Sequence, residues 1–290
     1  MKLLRYGAIG YEKPAMLDSD GLIRDLSGHL RDIDTAIFDG NSLARVASLD
    51  PSTLSIVDRR ERIGMPIKGI GKFVAIGLNY SDHAAESNMP IPSEPIIFSK
   101  ATSCLSGPND DVMLPKDSVK SDWEVELGVV IGRTARSVSE KKALEYVAGY
   151  LCVNDVSERE YQLERGSQWD KGKGFDTFGP VGPWFVTADE VGDPQNLSMF
   201  LKLNDTSMQI GNTKNMIFGV AALVSYVSRC MTLYPGDLIT TGTPPGVGLG
   251  QKPKPIFLKA GDRMQLGIEK LGEQSQRVVA FRDLGEQVLF

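Results

Sequence analysis

A β-rich α+β fold is what this sequence predicts, with a small N-terminal domain over residues 1–65 and a larger domain over residues 70–290. Three observations carry the prediction. Beyond residue 70 the chain holds a succession of short runs rich in β-branched and aromatic residues; helical periodicity is confined to a few stretches; and Gly- and Pro-containing segments separate the runs at turn spacing.

In chain order, the first 60 residues give short strand-like pieces around the turn former Asp18-Ser19-Asp20-Gly21, then the charged run Asp58-Arg59-Arg60-Glu61-Arg62 and a Gly-rich connection to Gly71. Strands are expected at Phe73 to Gly77, at Pro95 to Phe98, around Trp123 to Leu127, from Tyr150 to the acidic tip Asp155, and at Asp237 to Thr241 after the turn at Pro235-Gly236. Three helices interrupt them. Ser139 to Ala148 is amphipathic through Ala143, Leu144 and Val147; Ser157 with Glu160 has capping-box spacing; and Met216 to Met231 is apolar enough to be largely buried. There is no internal repeat.

At 290 residues, 41% apolar and 24% charged, the chain can bury one large core plus a small accessory unit. A net charge of −5 argues against nucleic acid or an anionic membrane as partner, because both select basic surfaces, and it leaves small anions open through a local site. Met1 to Tyr6 lacks a signal-peptide core, and no run approaches the ~20 apolar residues of a membrane helix, so a soluble, cytoplasmic protein is expected. Cys104, Cys152 and Cys230 are far apart in apolar surroundings, which reads as three buried free thiols.

The strongest chemical signal is Glu124-Val125-Glu126. Strand alternation puts both carboxylates on one face, where water, a Lys or Arg, or a shared divalent cation with a third oxygen ligand would relieve their repulsion; Asp155 is a candidate third ligand. His29 and His83 are the two histidines. His83 is the better base, since Ser81 can cap a short helix that brings His83 and Glu86, spaced i and i+3, to one side. The loop from Gly166 to Pro180 mixes glycines, aromatics, Lys171 and Lys173, and Thr240 to Gly248 can offer hydroxyls and backbone N–H groups to an anion. Walker, Gly-x-Gly-x-x-Gly, Gly-x-Ser-x-Gly and His-Glu-x-x-His patterns do not occur, which leaves nucleotide cofactors, a serine nucleophile and a zinc protease site without support.

Taken in order, Gly77-Leu78-Asn79-Tyr80 with His83, Pro95 to Phe98, Glu124 to Leu127, Asn154 to Ser157 with Arg159 and Gln162, Gly172 to Asp176, and Gly242-Thr243-Pro244 resemble the fumarylacetoacetate hydrolase family over roughly residues 70 to 280. The resemblance implies a mixed β-roll catalytic domain, a homodimer, and Mg²⁺ or Mn²⁺ held by Glu124, Glu126 and Asp155. It also implies Lys173 as the active-site lysine, His83 and Glu86 as a lid dyad, and Tyr80, Arg159, Gln162 and Thr243 at substrate-contacting positions. The implied partner is a small anionic 2-keto acid. Within the family, Met1 to Gly7 and the segment from Asn79 to Asn88 are most similar to bacterial 2,4-diketo-3-deoxy-L-rhamnonate and L-fuconate hydrolases, which implies C3–C4 cleavage to pyruvate and a short hydroxy acid such as lactate. Ureidoglycolate lyase, acylpyruvate hydrolase, oxaloacetate decarboxylase and enol isomerase are the alternatives that the same metal and lysine would serve. A catalytically inactive metabolite-binding homologue would lack one of Glu124, Glu126, Asp155 or Lys173, and all four are present.

Overall fold

The structure, a computed structural model, describes residues 1–86 and 90–282. Asn88, which closes one segment of the sequence resemblance, and residues 283–290 of the expected larger domain lie outside the described residues. A ten-stranded mixed sheet forms the spine. Its central pair, Val125–Ile131 and Val147–Asn154, runs antiparallel with Glu126 opposite Val153 and Leu127 opposite Cys152. Leu238–Thr240 flanks one side and pairs in parallel with Phe73–Gly77, which pairs antiparallel with Ile96–Lys100.

On the other side Phe185–Thr187 leads to Lys2–Tyr6, Lys13–Leu17 and Ile23–Asp25, with Ile63–Gly64 pairing Lys2–Tyr6. The N-terminal strands thus extend the main sheet, and Leu3, Leu26 and Ile33 are buried in the same core as Val125 and Leu151. The turn at Asp18 forms as its residue types dictate: the Asp18 carboxylate accepts from the N–H groups of Asp20 and Leu22, and Gly21 takes a φ of 72°.

Val125–Ile131 is buried along its whole length because a second, five-stranded sheet packs near it. That sheet comprises Thr206–Asn212, Ser198–Leu203, Arg263–Ile268, Gly272–Val279 and Val112–Met113. Four buried amides stitch the layers together. Gln209 accepts from the Val125 N–H, Asn154 donates to Gln276, and Gln274 donates to the Cys152 carbonyl, so the strand ends that carry the acidic residues are pinned from behind.

Four expectations are corrected here. The Ser139 to Ala148 helix is one α-turn, Glu140–Ala143, and a 3-10 turn, Leu144–Tyr146, because β-branched Val147 opens the central strand opposite Ile131. Glu158, not Ser157, caps helix Arg159–Leu163: its carboxylate accepts from the Tyr161 N–H, while the Ser157 hydroxyl turns back to the Asp155 carbonyl. The apolar helix is Val220–Cys230, shorter than Met216 to Met231, because the backbone N–H groups of Ile217 and Phe218 are taken by Asn79. Its buried residues Val220, Leu223, Val224, Val227 and Ser228 keep the i, i+3, i+4 stripe, and Cys230 ends the helix exposed, so two of the three thiols are buried rather than all. No helix among the described residues is long and apolar enough to cross a membrane.

Candidate active site

The acidic centre forms where the two central strands fray. Glu124 lies just before Val125–Ile131, and Asp155 just after Val147–Asn154; the Asp155 N–H donates to the Glu124 carbonyl at 2.9 Å, which fixes the two side by side. Glu124, Glu126 and Asp155 are all buried, and one carboxylate oxygen from each lies within 4.8 Å of the others.

Three cations face these acids from behind and beside. Lys173 Nζ sits 2.8 Å from Glu124 Oε2 and 2.7 Å from Asp155 Oδ2; Arg159 Nη2 lies 2.7 Å from Glu124 Oε1 and 2.8 Å from Asp122 Oδ2; Lys100 Nζ is 2.6 Å from Asp155 Oδ1. Four carboxylates, Asp122 included, against three cations leave the cluster with one net negative charge. The consequences differ along the strand. Burial would raise Glu124, but Lys173 and Arg159 overcome it and hold the carboxyl well below the usual range. Among the described residues no cation touches Glu126, and burial with the Asp155 and Glu124 charges pushes it well above that range; its Oε2 is held by the Thr240 hydroxyl at 2.6 Å and the Gly242 N–H at 2.8 Å. Burial would lower Lys173, yet Asp155 and Glu124 keep it charged beyond its ordinary value.

Lys173 arrives through helix Asp170–Lys173, packed directly on Arg159–Leu163. Gly172 makes this possible, since a Cβ there would lie 2.5 Å from the Glu158 carbonyl and 2.6 Å from the Gln162 nitrogen. Gln162 accepts from Arg159 Nη1 at 3.0 Å, and the Thr243 hydroxyl bridges the Val125 carbonyl and Gln209.

Above the acids opens a cavity of about 300 Å³, bordered by Glu124, Glu126, Arg159, Gln162, Lys173 and Thr243. Helix Ser81–Glu86 contributes its far wall, with His83 Nδ1 3.1 Å from Glu86 Oε2 and both lining the space. Glu86 also accepts from the Gly246 N–H, and Gly246, at φ 105°, is a position where a side chain would collide with the Met208 carbonyl. Burial would raise the Glu86 carboxyl; the hydrogen bonds from His83 and Gly246 win and hold it below its ordinary value.

Nine of the ten residues singled out by sequence meet around this centre, with Asp155 behind Lys173 rather than on the cavity wall. Tyr80 is the exception and is corrected. After Leu78 turns the chain at φ 50°, Tyr80 bridges Met216 and points into the core, its hydroxyl on Met199 Sδ at 3.3 Å, away from the cavity wall. Sequence reasoning missed two residues of this charged cluster. Asp122 continues the i, i+2 alternation of Glu124 and Glu126, and it ties Arg159 to the Gly248 and Leu249 N–H groups. Lys100 ends strand Ile96–Lys100 two residues past the expected limit; a lysine closing an apolar strand is the signal of a buried carboxylate partner.

Such a centre is built for chemistry on a small molecule, and the fold around it is that of an enzyme class containing hydrolases and isomerases. The family model described as fumarylacetoacetate (FAA) hydrolase C-terminal matches residues 72–279, and the chain belongs to the fumarylacetoacetate hydrolase family. A Burkholderia lata protein provisionally named a hydrolase is 61% identical over 276 residues, covering 95% of this chain and 98% of its own. A fumarylacetoacetate hydrolase from Exiguobacterium antarcticum is 32% identical with a TM-score of 0.86, covering 97% of this chain and all of its own. Maleylpyruvate hydrolase from Sphingobium sp. SYK-6, solved with manganese(II) and pyruvate, is 31% identical with a TM-score of 0.79 and the same coverage. A Mycobacterium marinum 2-hydroxyhepta-2,4-diene-1,7-dioate isomerase is 33% identical with a TM-score of 0.73, covering 98% of this chain and all of its own.

Proposed function

We propose that this enzyme hydrolyses the C3–C4 bond of a 2,4-diketo acid, with 2,4-diketo-3-deoxy-L-rhamnonate or L-fuconate as substrate and pyruvate and lactate as products. The observation that carries the reading is the pairing of a buried three-carboxylate cluster with a His83–Glu86 dyad across one cavity. The donor set fits a divalent cation: three converging oxygens suit hard Mg²⁺ or Mn²⁺, and the Glu126 carboxyl, raised by burial and then by its acidic neighbours, would be drawn back down by a positive charge beside it. Glu124, Glu126 and Asp155 would hold that ion, which supplies Lewis-acid polarisation of a keto oxygen. With a dication the cluster's charge turns from −1 to +1, matching a monoanionic 2-keto acid.

The chain's own groups carry the rest. Lys173 and Arg159, locked by buried carboxylates, present fixed positive charge to the substrate's carboxylate and 2-keto oxygen, and Gln162 fixes the guanidinium plane. His83, oriented by Glu86, takes a proton from water as the water oxygen adds to the C4 carbonyl. The C3–C4 electron pair then moves onto the pyruvyl fragment as an enolate that Lys173 stabilises. The proton held by His83 returns to C3, so one water is consumed and pyruvate and a carboxylic acid leave.

An isomerase would use the same floor to move a proton without adding water, and the dyad favours hydrolysis because proton transfer alone does not need a water-activating base opposite the acids. The reading includes a homodimer, and light scattering at micromolar concentration tests that. The chemistry is tested by incubating chelator-stripped and Mg²⁺- or Mn²⁺-restored protein with the two diketo-deoxy acids, ureidoglycolate and oxaloacetate, following pyruvate, lactate, glyoxylate and CO₂. Metal-dependent pyruvate with equimolar lactate is expected. Glyoxylate alone would replace the reading with a lyase, and pyruvate with CO₂ from oxaloacetate alone with a decarboxylase.

A further inference from the structure

The cavity changes character with height. Its floor is charged, whereas the part of its wall and rim away from His83, Glu86 and Lys252 is apolar: Leu78, Phe98, Leu163, Trp169, Val247 and Leu249 line it. Two of these stay open to solvent, Leu163 at 45% and Leu249 at 39% of full exposure, and Phe98, Trp169 and Leu78 are only partly covered. Large apolar groups converging on one opening, without being buried by the fold, mark a surface that a ligand covers.

The collar is also held in place. Trp169 packs edge-on to Phe98 with centroids 5.5 Å apart, and a Cβ on Gly77 would lie 2.5 Å from the Trp169 ring, so the indole occupies space cleared for it. Phe98 in turn stands 5.3 Å from Lys173 Nζ, which joins the collar to the floor. Across the cavity, the Leu249 N–H is fixed by Asp122 and Val247 is 2% exposed. A ligand seated by its anionic head on Lys173 and Arg159 must therefore pass its far end between these two walls.

We infer that the enzyme selects a 2-keto acid whose far end is an alkyl group, in preference to one ending in a hydroxyl or a carboxylate, with Trp169 and Leu249 as the specificity-determining residues. The inference rests on the proposed 2-keto-acid reading and deepens it: a terminal methyl meets apolar surface, and a hydroxymethyl or carboxylate in its place loses water without gaining a partner. Lys252 is the charged residue on the rim. It lines the cavity on the same side as Glu86, and its charge adds to the hydrogen bonds of His83 and Gly246 that hold the Glu86 carboxyl down, so the comparison with a dicarboxylate is the decisive one.

The test is the affinity of the Mg²⁺-loaded, full-length protein, by calorimetry, for pyruvate and for three acids of equal length, 2-oxohexanoate, 6-hydroxy-2-oxohexanoate and 2-oxoadipate. Affinity should rise about fourfold per added methylene from pyruvate to 2-oxohexanoate. It should drop for the hydroxylated acid and drop further for the dicarboxylate, and Leu249→Asn or Trp169→Ser should flatten the chain-length slope. Equal affinity for pyruvate and 2-oxohexanoate, tighter binding of 2-oxoadipate, or no binding of any of the four overturns the inference. Turnover is a separate question: loss of every hydrolytic activity with the chain-length slope intact would remove the proposed reaction and leave the collar's selectivity standing.

Discussion

The floor and the roof of this cavity are built on opposite principles. The floor is over-determined: Glu124, Glu126 and Asp155 are buried at strand ends, each held by backbone or side-chain partners, and Lys173, Arg159 and Lys100 stand 2.6 to 2.8 Å from Glu124 or Asp155. The roof is sparse. His83 and Glu86 are partly exposed on a six-residue helix whose link to the loop opposite is the pair of Glu86 and the Gly246 N–H. Buried charges need fixed partners because desolvation is costly, and that requirement makes the floor rigid. The water-activating base proposed for His83 instead needs access to solvent, which its partly exposed place on the cavity wall provides.

If that division is correct, floor substitutions should damage metal binding and stability as well as rate, and roof substitutions rate alone. Glu126→Gln carries the largest expected effect. It removes a ligand oxygen, so Mg²⁺ or Mn²⁺ affinity should weaken by more than the roughly 10- to 100-fold typical of an outer-shell partner, and turnover should vanish with it. Titration calorimetry that finds metal binding unchanged would remove Glu126 from the ligand set. His83→Ala should cost about 10²- to 10⁴-fold in kcat while metal affinity and Tm stay put, the signature of a lost general base. A variant that hydrolyses at the parent rate would retire the dyad.

Lys173→Met tests the floor from the cation side. Removing one partner of a buried ion pair strands Glu124 and Asp155 against each other, and about 3–5 kcal/mol of stability should go in the metal-free protein. Added Mg²⁺ should restore much of it, since metal binding is mostly intact, while kcat remains about 10²- to 10³-fold down through loss of fixed positive charge at the enolate. A smaller effect comes from pH on the roof. The folded Glu86 carboxyl sits below its unfolded value of 4.5, so its contribution to stability is full above that value and fades as pH falls through the lower, folded one. The Tm gap between the parent and Glu86→Gln should be widest near neutrality and shrink toward pH 3; a gap that grows on acidification would reverse the assigned sign.

Much of this division can be read in the sequence, and what cannot has a common cause. Glu124, Glu126 and Asp155 announce themselves because acids in apolar runs need an explanation that residue type and spacing supply locally. His83 and Glu86 are legible for the same reason, lying one helical turn apart. Lys100 and Asp122 are not, because their meaning lies in partners 55 and 37 positions away along the chain, Asp155 and Arg159. Tyr80 errs in the opposite direction. Its place in a recognisable segment marks it for substrate, while the left-handed turn at Leu78 aims it at Met199. The helix from Ser139 fails at Val147 because strand pairing with Ile131 outweighs helical propensity, a tertiary effect that no window of sequence contains.

The smallest expected effect uses the cysteines as silent reporters of the same contrast. Cys104 is buried beside the floor, near Lys100 and Asp155, and burial pushes its thiol up to about 11; Cys152 lies inside the central strand and is raised further; Cys230 is exposed at a helix end remote from both. The thiolate is the reactive form, so at pH 8 a soluble alkylating reagent should modify Cys230 rapidly and leave Cys104 and Cys152 untouched, with no change in activity. Mass spectrometry after brief labelling checks this by locating the adduct. In metal-free Lys173→Met the floor has lost the cation that joins Glu124 to Asp155, and Cys104 should gain reactivity ahead of Cys152; in His83→Ala it should not. Equal protection of Cys104 in both variants would mean that the floor keeps its shape without its central cation, and the rigidity would then belong to the strand pairing and the buried amides behind it rather than to the charges.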